Sequence, residues 1–193
     1  MRRAVINKTC SAPSPPHPHL SLHHLAPIRF IILAMESLLI AQYDLVRSAR
    51  GVLLAYCATM APADFTAPIS AFNHTSIRDL LVHCAATYQH WLVNVALGQS
   101  WPLPDAAAVP DIAALGQLYA QTDTLVTDFL EHFRGQWHTE LSLRVPRRSE
   151  PVQLTPLALF THVLTHEFHH KGQVLSMSRQ LGYVPVDTDV IRT

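Results

Sequence analysis

Charge is scarce in this chain, and neither sign is in excess. Only 15% of the 193 residues are charged, and 14 acidic side chains cancel 14 basic ones. A nucleic-acid surface needs a basic excess, so the composition argues against that partner. Cysteine is scarce too. Cys10, Cys57 and Cys84 are odd in number and lack metal or redox spacing. They offer no disulfide framework and fit a reducing compartment, with the cytoplasm as the expected location. Cys84 follows His83 but is expected to be a buried structural thiol. A run long enough to cross a membrane is also missing. Ile28-Arg-Phe-Ile-Ile-Leu-Ala34 is too short to span and lies too far in for a good signal peptide. No internal repeat is present.

What remains is a chain with 49% apolar residues, long enough to bury a core without staples and sized for one domain. Residues 1–34 stand apart. They are rich in proline and histidine, carry Arg2, Arg3 and Arg29, and hold no acidic residue. They read as a flexible extension, or as the product of a start assigned too early, with Met35 the working start. The domain is therefore expected over 35–193. His17, His19, His23 and His24 are in the extension and can bind metal adventitiously.

Four helices follow from spacing. The first is expected from Glu36 to about Met60, with Leu38, Leu39, Tyr43, Val46, Leu53 and Leu54 facing inward. Pro62 ends it, and Pro68 keeps the next stretch extended or looped. Ser76-Ile-Arg-Asp79 resembles a capping box, with Asp in place of Glu or Gln. It opens a second helix that runs to Leu97 and stops at Gly98. Trp101 to Pro110 is a proline-broken linker. The third helix spans about Asp111 to Phe133, with Gly135 beyond it. Leu141, Leu143 and Val145 then alternate with polar residues, which predicts a strand. Pro146-Arg-Arg-Ser-Glu-Pro151 is a turn, and Val152-Gln-Leu154 is the return strand of a small hairpin. Thr155 and Pro156 start the fourth helix, which ends at Gly182 and is followed by a tail. Gly172, within it, would permit close backbone approach. The expected fold is all-α, a four-helix bundle with a small β-hairpin between helices three and four.

The chemistry concentrates in Thr161-His-Val-Leu-Thr-His-Glu-Phe-His-His-Lys-Gly-Gln173. On a helix, His166 and His170 lie one turn apart on a face shared with Leu159, Val163, Glu167, Gln173, Val174 and Met177. Buried imidazoles need a partner, and two stacked ones share a divalent metal most simply. A metal site with an open position takes three protein ligands, so another helix must supply the third. His83 is the best candidate, mid-helix and near the apolar face. His90 is further round, His74 is in a loop, and His132 and His138 flank a helix end. His162 and His169 fall on the polar side, and none of these six is expected to bind the ion. Glu167 can orient a ligand, bridge to an opposing helix, or act as a base. His166-Glu-Phe-His-His170 also matches the H-E-x-x-H zinc-protease pattern, but no histidine or glutamate follows His170 to complete it.

Asn73-His-Thr-Ser-Ile-Arg-Asp-Leu-Leu-Val-His83 with Trp91, His162 to Gln173, and Leu181-Gly-Tyr-Val-Pro-Val-Asp-Thr-Asp189 together resemble the DinB/YfiT-like family. Lys171 stands where that family often has Arg. The resemblance implies a four-helix bundle with a metal held by His83, His166 and His170, zinc or nickel as the ion, and a homodimer. It also implies a metal-dependent thiol transferase or isomerase that joins a low-molecular-weight thiol to an electrophilic small molecule. The alternatives are a metal-dependent hydrolase with Glu167 as base, and a non-enzymatic, stress-associated metal-binding protein.

Overall fold

A computed structural model describes residues 25–192 of the chain. Residues 1–24, with Cys10 and the four terminal histidines, lie outside the described residues. Helix α1 spans Leu25–Cys57, α2 Pro62–Thr66, α3 Ile77–Tyr88, α4 Ile112–His132 and α5 Pro156–Gln180; strands β1 (Leu141–Leu143) and β2 (Val152–Leu154) complete the order. The first helix therefore begins eleven residues before Glu36, the expected start, and ten residues of the expected extension are helical. Pro27 is tolerated because it falls in the first turn, where its missing N–H has no intrahelical acceptor to lose.

The helix starts follow from local chemistry. Ser76 accepts from the Asp79 amide at 3.1 Å, and the Asp79 carboxylate accepts from the Ser76 amide at 3.2 Å, a complete capping box. Asp111 caps α4 and Thr155 caps α5 on one side only, each side chain accepting from a backbone amide of the first turn. Helix α3 does not stop at Tyr88. It runs on through a π-helical stretch, Gln89–Val95, in which the hydrogen bonds skip one residue further. Gly98 (φ +64°) and Gly182 (φ +89°) follow helix ends in the left-handed conformation, where a Cβ would be strained. The expected hairpin forms, with Leu141 opposite Leu154 and Leu143 opposite Val152.

Helix α1 touches α4 and α5, and α3 touches the same two, so the four long helices meet in a closed ring of contacts. Their shared interior has two apolar halves. Leu53, Tyr56, Ile77, Leu81, Leu115, Val174 and Met177 are in one. Tyr43, Val46, Tyr88, Val126, Phe129, Phe160 and Val163 are in the other. Between them lies a polar layer. Arg50 falls between Val46 and Leu53 on α1, Glu167 between Val163 and Val174 on α5, and Asp123 between Tyr119 and Val126 on α4.

Some expectations needed correction. Leu38 is exposed, not inward, because Leu39, Tyr43, Val46 and Arg50 already fill the buried stripe of α1. The stretch after helix α1 is not wholly extended or looped: Pro62–Thr66 is helical and buries Phe65. A Cβ on Gly172 would meet nothing within 4 Å, so no close approach depends on that glycine. The residues after Gly182 are not a loose tail. Thr188 is buried, and its carbonyl accepts from Lys171 Nζ at 2.6 Å; Arg192 reaches Ser48 on α1. Tyr183 OH donates to Asp64 at 2.7 Å. No helix among the described residues is long and apolar enough to cross a membrane.

Candidate metal centre

Helices α3 and α5 pack together, and their contact brings His83 beside His166 and His170. One ring nitrogen from each of the three lies within 4.8 Å of the others. The Nε2 atoms of His83 and His166 are 3.1 Å apart. A zinc ion with nitrogen ligands at about 2.0–2.1 Å in tetrahedral geometry holds those nitrogens about 3.3 Å apart. The pair already has that spacing, so the donor set fits a small divalent ion.

Gln173 fixes the third ring. His170 Nδ1 lies 2.7 Å from Gln173 Oε1, and an amide oxygen only accepts. Nδ1 therefore carries the proton, and Nε2 keeps its lone pair for another partner. The amide nitrogen of Gln173 faces His169 Nε2 at 3.3 Å and can donate to it. A ring held by an outer partner in this way is typical of metal-ligating histidine.

The electrostatics keep these rings neutral. Partial burial and the neighbouring imidazoles push His166 down to about 4, and partial burial also lowers His83 and His170. Three neutral imidazoles can donate to a cation, whereas imidazolium cannot. The trio is not sealed in the core as the helical wheel suggests. His83 is exposed and the other two are half-buried, so the centre opens to solvent. The side chains of α3 around His83 explain the difference: Leu80, Leu81 and Cys84 take the inward positions and leave His83 on the rim.

The other histidines among the described residues stay outside the cluster. His162 packs edge-on against Trp91 at 5.1 Å, and His90 packs against the same indole at 5.2 Å. His132 and His138 are exposed, and His74 sits in a left-handed turn before α3. Cys84 is 1% exposed, and burial raises its thiol well above the ordinary range, as it raises Cys57 to about 12. Neither is a ready thiolate.

Glu167 does not face the imidazoles. Arg50 Nε and Nη2 donate to its two oxygens at 2.7 and 2.9 Å, and Tyr88 OH donates to Oε2 at 2.6 Å. Of its three expected roles, the structure shows the bridge to opposing helices. Arg50 also donates to Asp123 at 2.7 Å and to Tyr43 OH at 3.2 Å. Burial works against the Arg50 charge, yet Glu167 more than offsets it and the guanidinium is held firmly protonated. Sequence reasoning missed Arg50 and Asp123 as partners. An arginine within the apolar stripe of the first helix was the available signal, since such a charge has to be paired.

A mostly helical protein with an open three-histidine cluster between two helices is the class that this geometry defines. Residues 35–193 match the DinB family, so the chain belongs to it. No curated protein matches the chain.

Proposed function

We propose that His83, His166 and His170 hold one divalent metal ion, zinc or nickel, in a four-helix bundle of the DinB type. On this reading the chain is a metal-dependent thiol transferase or isomerase. A bound ion would supply Lewis acidity that lowers the pKa of a low-molecular-weight thiol and so favours its thiolate form at neutral pH. The chain's own residues do the rest. The three rings present lone pairs, and Gln173 keeps His170 in the right tautomer. The exposed rim at His83 admits both the thiol and an electrophilic small molecule.

The observation that carries the reading is the convergence of the three ring nitrogens within 4.8 Å at a solvent-open mouth. The state of Glu167 favours thiol transfer over hydrolysis. A carboxylate with both oxygens in a buried ion pair is poorly placed to take a proton from water at the centre. The closed ring of helix contacts supports the bundle arrangement. Exposed Leu38, Ile40 and Leu45 on α1 support a homodimer, and buried free thiols at Cys57 and Cys84 suit the cytoplasm.

Cobalt substitution tests the proposal. Adding a low-molecular-weight thiol at millimolar concentration should produce a sulfur-to-cobalt absorption band in the wild type and none in His83→Ala. A cobalt spectrum that no thiol perturbs would overturn the thiol-transfer reading while leaving the metal site itself standing.

A further inference from the structure

The seam between α3 and α5 does not end at the three converging histidines. A file of further rings continues it. His162 stands one turn before His166, with ring centroids 5.7 Å apart. Trp91 packs edge-on against His162 at 5.1 Å, and His90 packs against Trp91 at 5.2 Å. His162 is exposed, and Trp91 and His90 are half-buried, so all three rings keep surface open to solvent.

The π-helical stretch turns Trp91 toward this file. On an unbroken α-helix it would project about 80° round from His83. In Gln89–Val95 the turns are wider, with Ala96 N donating to Trp91 O at 3.1 Å, so each residue advances the helix by a smaller angle. The indole swings back toward the line of His83 and meets His162 on α5. It also packs on the apolar core, which holds it in place. Widened turns of this kind are frequent at functional sites.

The same surface carries no exposed charged side chain. From Leu80 to Val95 there is no charged residue at all. From His162 to Gln173 there are two, Glu167 and Lys171, and both are buried. Glu167 pairs with Arg50, and Lys171 donates to the Thr188 carbonyl. An ionic substituent would find no fixed counter-charge in either stretch.

We propose, on the thiol-transfer reading of the centre, that Trp91 and His162 seat the electrophile, and that this electrophile carries a flat, uncharged aromatic ring. Indole and imidazole offer π faces and edges to a flat partner, an interaction that an aliphatic group of similar size does not share. One helical turn, about 6 Å along α5, separates His162 from His166. A ring lying against His162 therefore reaches the three histidines with an atom on the ring or one bond beyond it.

The indole N–H signals of the zinc-loaded, ¹⁵N-labelled full-length protein test the proposal, with no thiol present. There are three tryptophans, and loss of one signal in Trp91→Phe assigns it. The probe is 2-naphthol, with decahydro-2-naphthol as its saturated counterpart. The naphthol should shift the Trp91 signal saturably, and the saturated alcohol should bind about 3- to 10-fold more weakly. His162→Ala, a change at an exposed position, should weaken naphthol binding by a similar factor. No saturable shift, equal binding of the saturated alcohol, or binding unchanged in His162→Ala would each overturn the proposal. Such a failure beside an intact thiol–cobalt band would remove the ring surface and leave thiol transfer standing.

Discussion

At the scale of single residues, the centre depends on which nitrogen of each imidazole is free. Gln173 decides this for His170. Gln173→Leu should therefore lower metal affinity by about 10- to 100-fold, with the fold unchanged by circular dichroism, because an outer partner is lost and no ligand is. The pH response follows from the lowered imidazole pKa values. In the metal-free protein, the unfolded chain binds protons on His166 below about 6.5, while the folded chain resists them until about 4. Stability from this source is full above 6.5 and is lost as pH falls through that window. A series of thermal melts without metal, from pH 7 to pH 4, should show a progressive fall in Tm. The slope should flatten in His166→Ala. At this scale the sequence was informative about type and spacing. The His166–His170 pair and the choice of His83 over His90 follow from the helical wheel alone. Exposure was not legible, since it depends on how far each helix is turned in the packed structure.

At the scale of elements, caps and turns were the most legible features. Ser76, Asp111 and Thr155 each satisfy backbone amides that a helix start leaves open, and that chemistry is local in sequence. Long-range pairing was not local and was not read. Arg50 and Glu167 are 117 positions apart, and nothing in either neighbourhood names the other. The pair ties α1 to α5 one residue from His166. Glu167→Gln leaves Arg50 buried against a neutral partner and should cost about 3–5 kcal/mol in denaturant unfolding. Loss of activity in that variant would therefore report on folding before chemistry. Gly172 offers the opposite case. It lies within α5, is exposed, and has free space where a Cβ would go. Gly172→Ala should stabilise the protein by about 0.5–1 kcal/mol, measured by the same unfolding curves. The π-helical stretch of α3 also escaped the sequence. A one-residue widening of a helix leaves the apolar period nearly intact, so periodicity cannot reveal it.

At the scale of the whole molecule, two apolar halves and a polar layer explain why the charged fraction is low yet so much of it is buried. Glu36, Arg50, Glu167 and Lys171 are all buried, and each reaches another segment of the chain. Glu167 also accepts from Tyr88 on α3, so the layer ties α5 to the helix that carries His83. Membership of the DinB family and the helical class were legible because they rest on patterns spread along the chain. The central claim is that three imidazoles from two helices share one ion. Zinc titration calorimetry of the full-length protein, with His17, His19, His23 and His24 changed to serine, tests it most directly. The account predicts one tight site per chain, with affinity falling at least 100-fold in each of His83→Ala, His166→Ala and His170→Ala. A tight site that survives His83→Ala unchanged would contradict it.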